Sequence, residues 1–542
     1  MRSAATLADR VALAVLAGFA AIALATFRDY GLGWDDYTHS QYGALLLALY
    51  DSSFVDTRAL HFVNLYMYGG GFDMAAALAA KVLPFTLFET RRLAGALVGL
   101  VGFILIWRTG RRLGGPVAGP LTGLAALVAL LLTPHYYGHV FINAKDAPFA
   151  VASLALLYAF VRAIDEFPRP SWPTVAIFGV GLGVAFGTRI LAVVSAAPFV
   201  VAVAFLFASD ARRESLKTAW RNFLAFFLRL LPALPLGIVV MGLLWPWSVL
   251  SPLHVIEAVE YFSSFFEKPW EELYEGRLIS VPDMPASYVP HLFALKLPEG
   301  LLIFVAIGTA LALWRIAGKT ETDGKTTRAN LLIVLVAAVL PIAIAVITRP
   351  AGYNGIRHFL FAVPPLALLA GLAVPWLLDR ARRHSRHAVI VVALLFAAAI
   401  LDPLAAMIRL HPYEYTYFNL LAGSERGARK NYMIDYWGLS LKQAADALRG
   451  RLAATGEAPP QGRRWTVAVC GPHPTARVAL GDGYDLTWDP KGADFALMLG
   501  EFYCAKLDAP EIATVERAGV TYARVYDIRG REVKTILTQP PP

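Results

Sequence analysis

Runs of roughly 20 predominantly apolar residues, the length a helix needs to cross a bilayer, recur along the chain as far as residue 406. They fall near 11–27, 93–109, 116–133, 147–164, 173–188, 190–208, 222–246, 299–316, 331–348, 359–378 and 388–406, about eleven in all. The fifth and sixth are short and meet at Thr188-Arg189, which predicts a broken pair. In hydrocarbon every backbone polar group needs an internal partner, so runs of this kind specify a polytopic α-helical membrane protein. Composition agrees: 57% of the 542 residues are hydrophobic and 16% charged, against about 45–50% and about 25% in soluble domains. The net charge of +9 does not point to nucleic acid, because the basic residues lie mostly in short loops between apolar runs. The first run lacks a small-residue cleavage site and reads as a retained span.

Those basic residues also set the orientation. Arg108, Arg111 and Arg112, then Arg212, Arg213, Lys217 and Arg221, then Arg380, Arg382, Arg383 and Arg386 occupy one alternating set of loops, which is expected in the cytoplasm. Loops 28–92, 134–146, 251–298 and 349–358 and the tail from Met407 are expected outside. In a bacterium that places the chain in the inner (plasma) membrane, with the tail on the periplasmic or outer face. The tail differs in kind. Residues 440–454 have helical spacing, with Leu441, Ala444, Ala445, Leu448 and Leu452 on one side, and 465–470, 494–499 and 520–528 read as short strands. Residues 1–406 are therefore expected to form a transmembrane domain and 407–542 a small C-terminal α/β extracytoplasmic domain. The two cysteines, Cys470 and Cys504, both lie in this tail. An oxidising compartment permits a disulfide between them, and a pair of buried thiols is the other reading.

Charged residues stand at the outer ends of several runs. Asp35 and Asp36 follow the first run, and Lys145 and Asp146 precede the fourth. Each acid has a plain reading as a helix cap and a chemical one as a base or metal ligand in a water-filled recess. Arg189 sits in the break between two short runs, where a lone guanidinium needs an anion or water. Arg357 and His358 open the tenth run, either as interfacial anchors or, with Arg189, as phosphate ligands, since guanidinium matches phosphate oxygens. His254, Glu257, Glu260, Lys268 and His291 are scattered through loop 251–298 without a ranking pattern. His135 and His139 lack the glutamate of a zinc-protease helix, and there is no Walker loop or dinucleotide fingerprint.

In their order and spacing, Asp35-Asp36, Asn143-Ala144-Lys145-Asp146, Gly187-Thr188-Arg189 and Gly355-Ile356-Arg357-His358-Phe359, leading to Pro364-Pro365, resemble the GT-C class of polyprenyl-phosphate-dependent glycosyltransferases. Within it they are similar to glycosyltransferase family 39, with the protein O-mannosyltransferases and the lipid A aminoarabinose transferases as relatives. The tail segments 411–419 and 435–440 resemble an outer-facing extension in a bacterial subset. The resemblance implies a GT-C-like catalytic domain and inverting transfer of a sugar from a polyprenyl-phosphate carrier to a protein, lipid A or other glycan acceptor outside the membrane. It makes Asp35 the general base, and gives Asp36 and Asp146 the placing of the acceptor. The donor phosphate falls to Arg189 and Arg357, with Lys145 and His358 beside them. The family's acid pair is Asp-Glu where this chain has Asp-Asp, which shortens the second side chain. No cofactor follows, although a divalent metal is compatible with the acids. The rival reading is a secondary transporter or lipid flippase with charges along its path.

Overall fold

The computed structural model describes residues 2–263, 270–318 and 323–539, with side chains from Leu7 onward, so Lys268 lies outside the described residues. Among the described residues, nine helices are long and apolar enough to cross a membrane: Leu7–Thr26, Leu87–Leu113, Asp146–Asp165, Ala192–Arg213, Leu216–Leu244, Glu299–Ile316, Lys325–Thr348, Arg357–His384 and Arg386–Leu410. Gly115–Leu131 and Pro134–Ile142, bent by 69° at their junction, make a tenth if taken together. The fifth expected run, the one left over, forms Trp172–Phe186, which at 15 residues is only about 22 Å long. Every expected run therefore falls on a helix, and the count differs from eleven because one span is bent and one is short.

Enclosure within the bundle is uneven. Over the most apolar 18 residues of each helix, 83% of Asp146–Asp165 and 78% of Arg357–His384 is buried, against 6% of Arg386–Leu410 at the periphery. The two most enclosed spans both begin with charged residues singled out in the sequence. The expected break is present: one helix ends at Phe186 and the next starts at Ala192. The turn before Gly71–Ala80 crosses directly over this break. Gly69 donates its N–H to the Thr188 carbonyl at 3.2 Å, and a Cβ on Gly69 would come within 1.6 Å of the Gly187 oxygen. Only glycine allows that approach, which brings Tyr68 beside Arg189.

Loop 251–298 is more ordered than its sequence suggested. It contains the helix His254–Ser263, a hairpin of β1 (Glu271–Tyr274) and β2 (Arg277–Ser280), and the helix Tyr288–Lys296. Glu275 and Gly276 at the hairpin tip both have positive φ, as a tight hairpin turn requires.

The last long helix runs to Leu410, past the expected boundary at 406. Beyond it lies a five-stranded mixed sheet of β3 (Trp465–Cys470), β4 (Tyr484–Thr487), β5 (Phe495–Leu499), β6 (Glu511–Arg517) and β7 (Val520–Asp527), in the order β4-β3-β5-β7-β6. β4, β3 and β5 are parallel, and β7 and β6 add antiparallel. β5 is buried throughout and β3 nearly so, as central strands covered on both faces should be. The helix Leu441–Thr455 buries the side foreseen for it: Leu441, Ala444, Ala445, Leu448 and Leu452. Cys470 and Cys504 are joined in a disulfide.

Candidate active site

Asp35 and Asp36 are adjacent in sequence and face different partners. Asp36 is the first residue of the helix Asp36–Asp51 and is buried. One of its oxygens accepts the Gly33 N–H at 2.7 Å, and Arg92 grips both oxygens at 2.9 and 2.5 Å. Arg91, next along, pairs with buried Asp73 at 2.7 Å, and Asp73 also takes His39 Nδ1 at 2.7 Å. Buried charges persist only when paired in this way. Arg91, Arg92, Asp73 and His39 were not picked out in the sequence, where the two arginines look like ordinary interfacial residues at the head of the second span.

Asp35 turns the other way and makes no helix-capping hydrogen bond. Its Oδ2 lies 3.1 Å from Lys145 Nζ and 3.5 Å from Arg357. Withdrawal from solvent pushes its pKa up. Lys145 and Arg357, with His39 further off, more than offset this and hold the carboxyl well below the usual carboxylate range. Burial in turn disfavours the Lys145 ammonium, but Asp35 outweighs it and raises the lysine.

Asp146 opens the most enclosed span. Its backbone N–H and that of Lys145 donate to Asn143 Oδ1 at 2.7 and 3.0 Å, so the asparagine side chain closes the turn leading into the helix. Asn143 Nδ2 donates to one Asp146 oxygen at 2.9 Å, and Arg189 pairs with the other. The Tyr68 ring lies 5.6 Å from Lys145 Nζ and 5.5 Å from Arg189 Cζ, flanked by both cations. Arg357 is buried, with the rings of Tyr353 and Trp437 at 4.8 and 5.0 Å. His358 packs edge-on against Tyr353, their centroids 4.6 Å apart.

Six of the seven residues singled out, Asp35, Lys145, Asp146, Arg189, Arg357 and His358, thus gather at one end of the bundle. The seventh, Asp36, belongs to the adjoining buried ion network. The cluster holds three permanent cations against two carboxylates, a surplus suited to an anion. His135 and His139 lie elsewhere: His135 Nδ1 bonds the Tyr415 carbonyl at 2.7 Å and His139 Nε2 the Tyr436 hydroxyl at 2.8 Å. Among the described residues, no group of three or more His, Cys, Asp or Glu side chains is placed to hold a metal ion. Tyr68 left no signal in the sequence, because it sits among many other aromatics, whereas Trp437 lies in the tail segment 435–440 that the resemblance pointed to without a role.

A helical bundle whose two innermost spans carry a carboxylate and a guanidinium at the same end is a multi-pass membrane protein with a cluster of charged side chains at one end of its spans. Residues 72–238 match the sequence model of the dolichyl-phosphate-mannose-protein mannosyltransferase family. Over that segment, which holds Asn143-Ala144-Lys145-Asp146 and Gly187-Thr188-Arg189 but neither Asp35-Asp36 nor Arg357-His358, the chain is similar to this family. No curated protein matches the chain. Among solved structures, ArnT from Cupriavidus metallidurans in the apo state is similar at 18% identity, over 96% of this chain and 98% of that one, with a TM-score of 0.48. The apo oligosaccharyltransferase of Archaeoglobus fulgidus is similar at 12% identity over 89% of this chain, with a TM-score of 0.48. This chain spans 65% of the archaeal protein's length, just under two thirds. The mycobacterial arabinofuranosyltransferase AftD is similar at 14% identity over 94% of this chain and 41% of that one, with a TM-score of 0.40.

Proposed function

We propose that the chain is a membrane glycosyltransferase that moves a sugar from a polyprenyl-phosphate carrier to a hydroxyl acceptor at the outer face of a bacterial inner membrane, with inversion at the sugar carbon. The observation that carries the reading is the placement of Asp35 against Lys145 and Arg357, beside the Asp146–Arg189 pair, at the ends of spanning helices. A lipid-linked phosphate presents its anionic group at this depth while its tail stays in the bilayer. Arg357, Arg189 and Lys145, with His358, take the phosphate oxygens and stabilise the charge that develops as the sugar–phosphate bond breaks.

The same cations govern the base. Asp35 bound to Lys145 and Arg357 is a poor proton acceptor. A phosphate that draws these two cations to itself removes what holds the carboxyl down, and its proton affinity rises towards that of a general base. Donor binding thereby activates Asp35, which takes the acceptor's proton as the hydroxyl attacks. Asp146, tied to Arg189 and Asn143, forms the neighbouring part of the cluster, and Asp36 fixes the start of the helix from which Asp35 projects. A transport path would place its charges near mid-bilayer. Here they lie at the helix ends.

The deciding experiment offers purified protein in lipid nanodiscs a panel of labelled polyprenyl-phosphate sugars and measures release of the carrier phosphate. Turnover of at least one donor is expected. No release from any member, with intact protein, would overturn the reading.

A further inference from the structure

The C-terminal domain touches the charged cluster. Residues 28–33, the strip that leads to Asp35, lie antiparallel alongside residues 437–442 of that domain. Lys442 Nζ donates to the carbonyls of Arg28 and Asp29, the latter at 3.3 Å. A Cβ on Gly31 would come within 2.3 Å of the Leu439 oxygen, and one on Gly33 within 1.6 Å of Trp437 Cδ1. Thr475 Oγ1 donates to the Leu32 carbonyl at 2.9 Å from a neighbouring helix. At the end of this strip the Trp437 ring lies 5.0 Å from Arg357 Cζ. One indole therefore touches the backbone two residues before the proposed base and the guanidinium proposed to meet the phosphate.

The loop that carries Trp437 is itself held firmly. Buried Asp435 accepts the N–H groups of Gly438 and Leu439 at 3.0 Å each and of Ser440 at 3.1 Å, together with the Tyr415 hydroxyl. Glu501, at the end of β5, accepts the N–H groups of Ile434 and Asp435 at 3.1 and 2.6 Å. Gly438 has φ +75°, a conformation that glycine adopts without strain. Tyr436 is pinned to His139 of the bundle at 2.8 Å. Such anchoring is more than an accessory module on a linker needs, and it suits a group whose position must be reproduced closely.

We propose that the loop 435–440 is a built-in part of the catalytic centre, and that Trp437 is a positioning residue which sets Arg357 and the Asp35 turn at their working separation. The inference rests on the glycosyl-transfer reading, and goes beyond it by giving the C-terminal domain a part in the reaction. Trp437 acts by holding. Its ring face fixes the Arg357 guanidinium through a cation–π contact, and its edge fills the space that Gly33 leaves open. Misplacement of a reacting group by about 1 Å costs on the order of 100-fold in rate.

The test uses the full chain in nanodiscs with a donor that the wild type turns over, each rate divided by the folded fraction measured on the same sample. Trp437→Ala is expected to lower kcat about 100-fold with little change in donor KM, and Trp437→Phe, which keeps a ring face, to recover most of the loss. Gly33→Ala attacks the contact from the other side and is expected to reproduce the loss with Trp437 still present. The double variant Gly33→Ala/Trp437→Phe is expected to exceed Gly33→Ala alone, because the smaller ring makes room for the methyl. Wild-type turnover with unchanged kcat in folded Trp437→Ala and Gly33→Ala would overturn the positioning role and leave the transferase reading standing. A strictly multiplicative double variant would also overturn it. A wild type that releases no carrier removes both proposals.

Discussion

A carboxylate held by two cations is stable and unreactive, so Asp35 has value as a base only when something competes for Lys145 and Arg357. Asp35→Asn keeps the shape and removes the proton acceptor. It is expected to lower carrier release by about 10²–10⁴-fold in protein that still folds, as read by scanning fluorimetry, with a lower melting midpoint because Lys145 and Arg357 lose their anion. Asp36 makes a contrasting case. Arg92→Ala strands its buried charge and should destabilise the protein by about 3–5 kcal/mol. Asp36→Leu/Arg92→Met removes both charges and is expected to regain much of that stability, measured as the melting midpoint. Asp35, Lys145, Asp146, Arg189 and Arg357 were legible in the sequence because each is a charge at the end of an apolar run, where burial is costly without a partner. The separate duties of Asp35 and Asp36 were not legible. Which of two neighbouring carboxylates faces the cluster depends on where the helix starts, and that is settled by Arg92, 56 residues away.

Elements position these residues by close contact at a few backbone crossings. The turn carrying Tyr68 rests on the break before Arg189 through Gly69, so Gly69→Ala should push the turn off the break and separate Tyr68 from Arg189. The expected outcome is weaker binding of a polyprenyl phosphate, the carrier of the proposed transfer, in nanodiscs with the helical circular-dichroism signal retained. Unchanged affinity would show that the crossing does not matter to the site. Apolar periodicity located the spans, β3, β5, β7 and the helix Leu441–Thr455 well, since their patterns reflect burial. It missed the hairpin β1–β2 and the edge strand β4 because each strand has only four residues, and the edge strand β6 because most of its residues are exposed or half-buried. Such elements are held by partners rather than by their own composition.

At the scale of the whole molecule, buried Glu501 and Asp435 tie the sheet domain to the loop whose Trp437 touches Arg357. Burial, reinforced by Asp435, pushes the Glu501 carboxyl up to about 8, against the pull of the two N–H groups it accepts. A carboxyl raised on folding binds its proton more tightly in the folded state. It therefore costs stability as pH rises from the ordinary glutamate value towards about 8, by at most ~1.4 kcal/mol per pH unit. Glu501→Gln mimics the protonated acid. The variant is expected to melt close to the wild type at pH 5 and above it at pH 8; parallel melting curves at both values would refute the assignment. The division into a spanning part and a polar tail was plain from composition. The intimacy of the two was not, because contacts such as Thr475 with Leu32 join residues with no shared pattern in the chain.

The charged cluster lies at the ends of the two innermost spans, Asp146–Asp165 and Arg357–His384, where the proposed reaction would meet a donor held in the bilayer. A lipid-linked substrate approaching the cluster diffuses in two dimensions, so the protein samples its surface mole fraction instead of its bulk molarity. Adding inert phospholipid at constant total substrate should then slow turnover in proportion to dilution within the sheet of lipid, whereas enlarging the aqueous volume should leave it unchanged. Detergent titration and vesicle dilution separate these two behaviours.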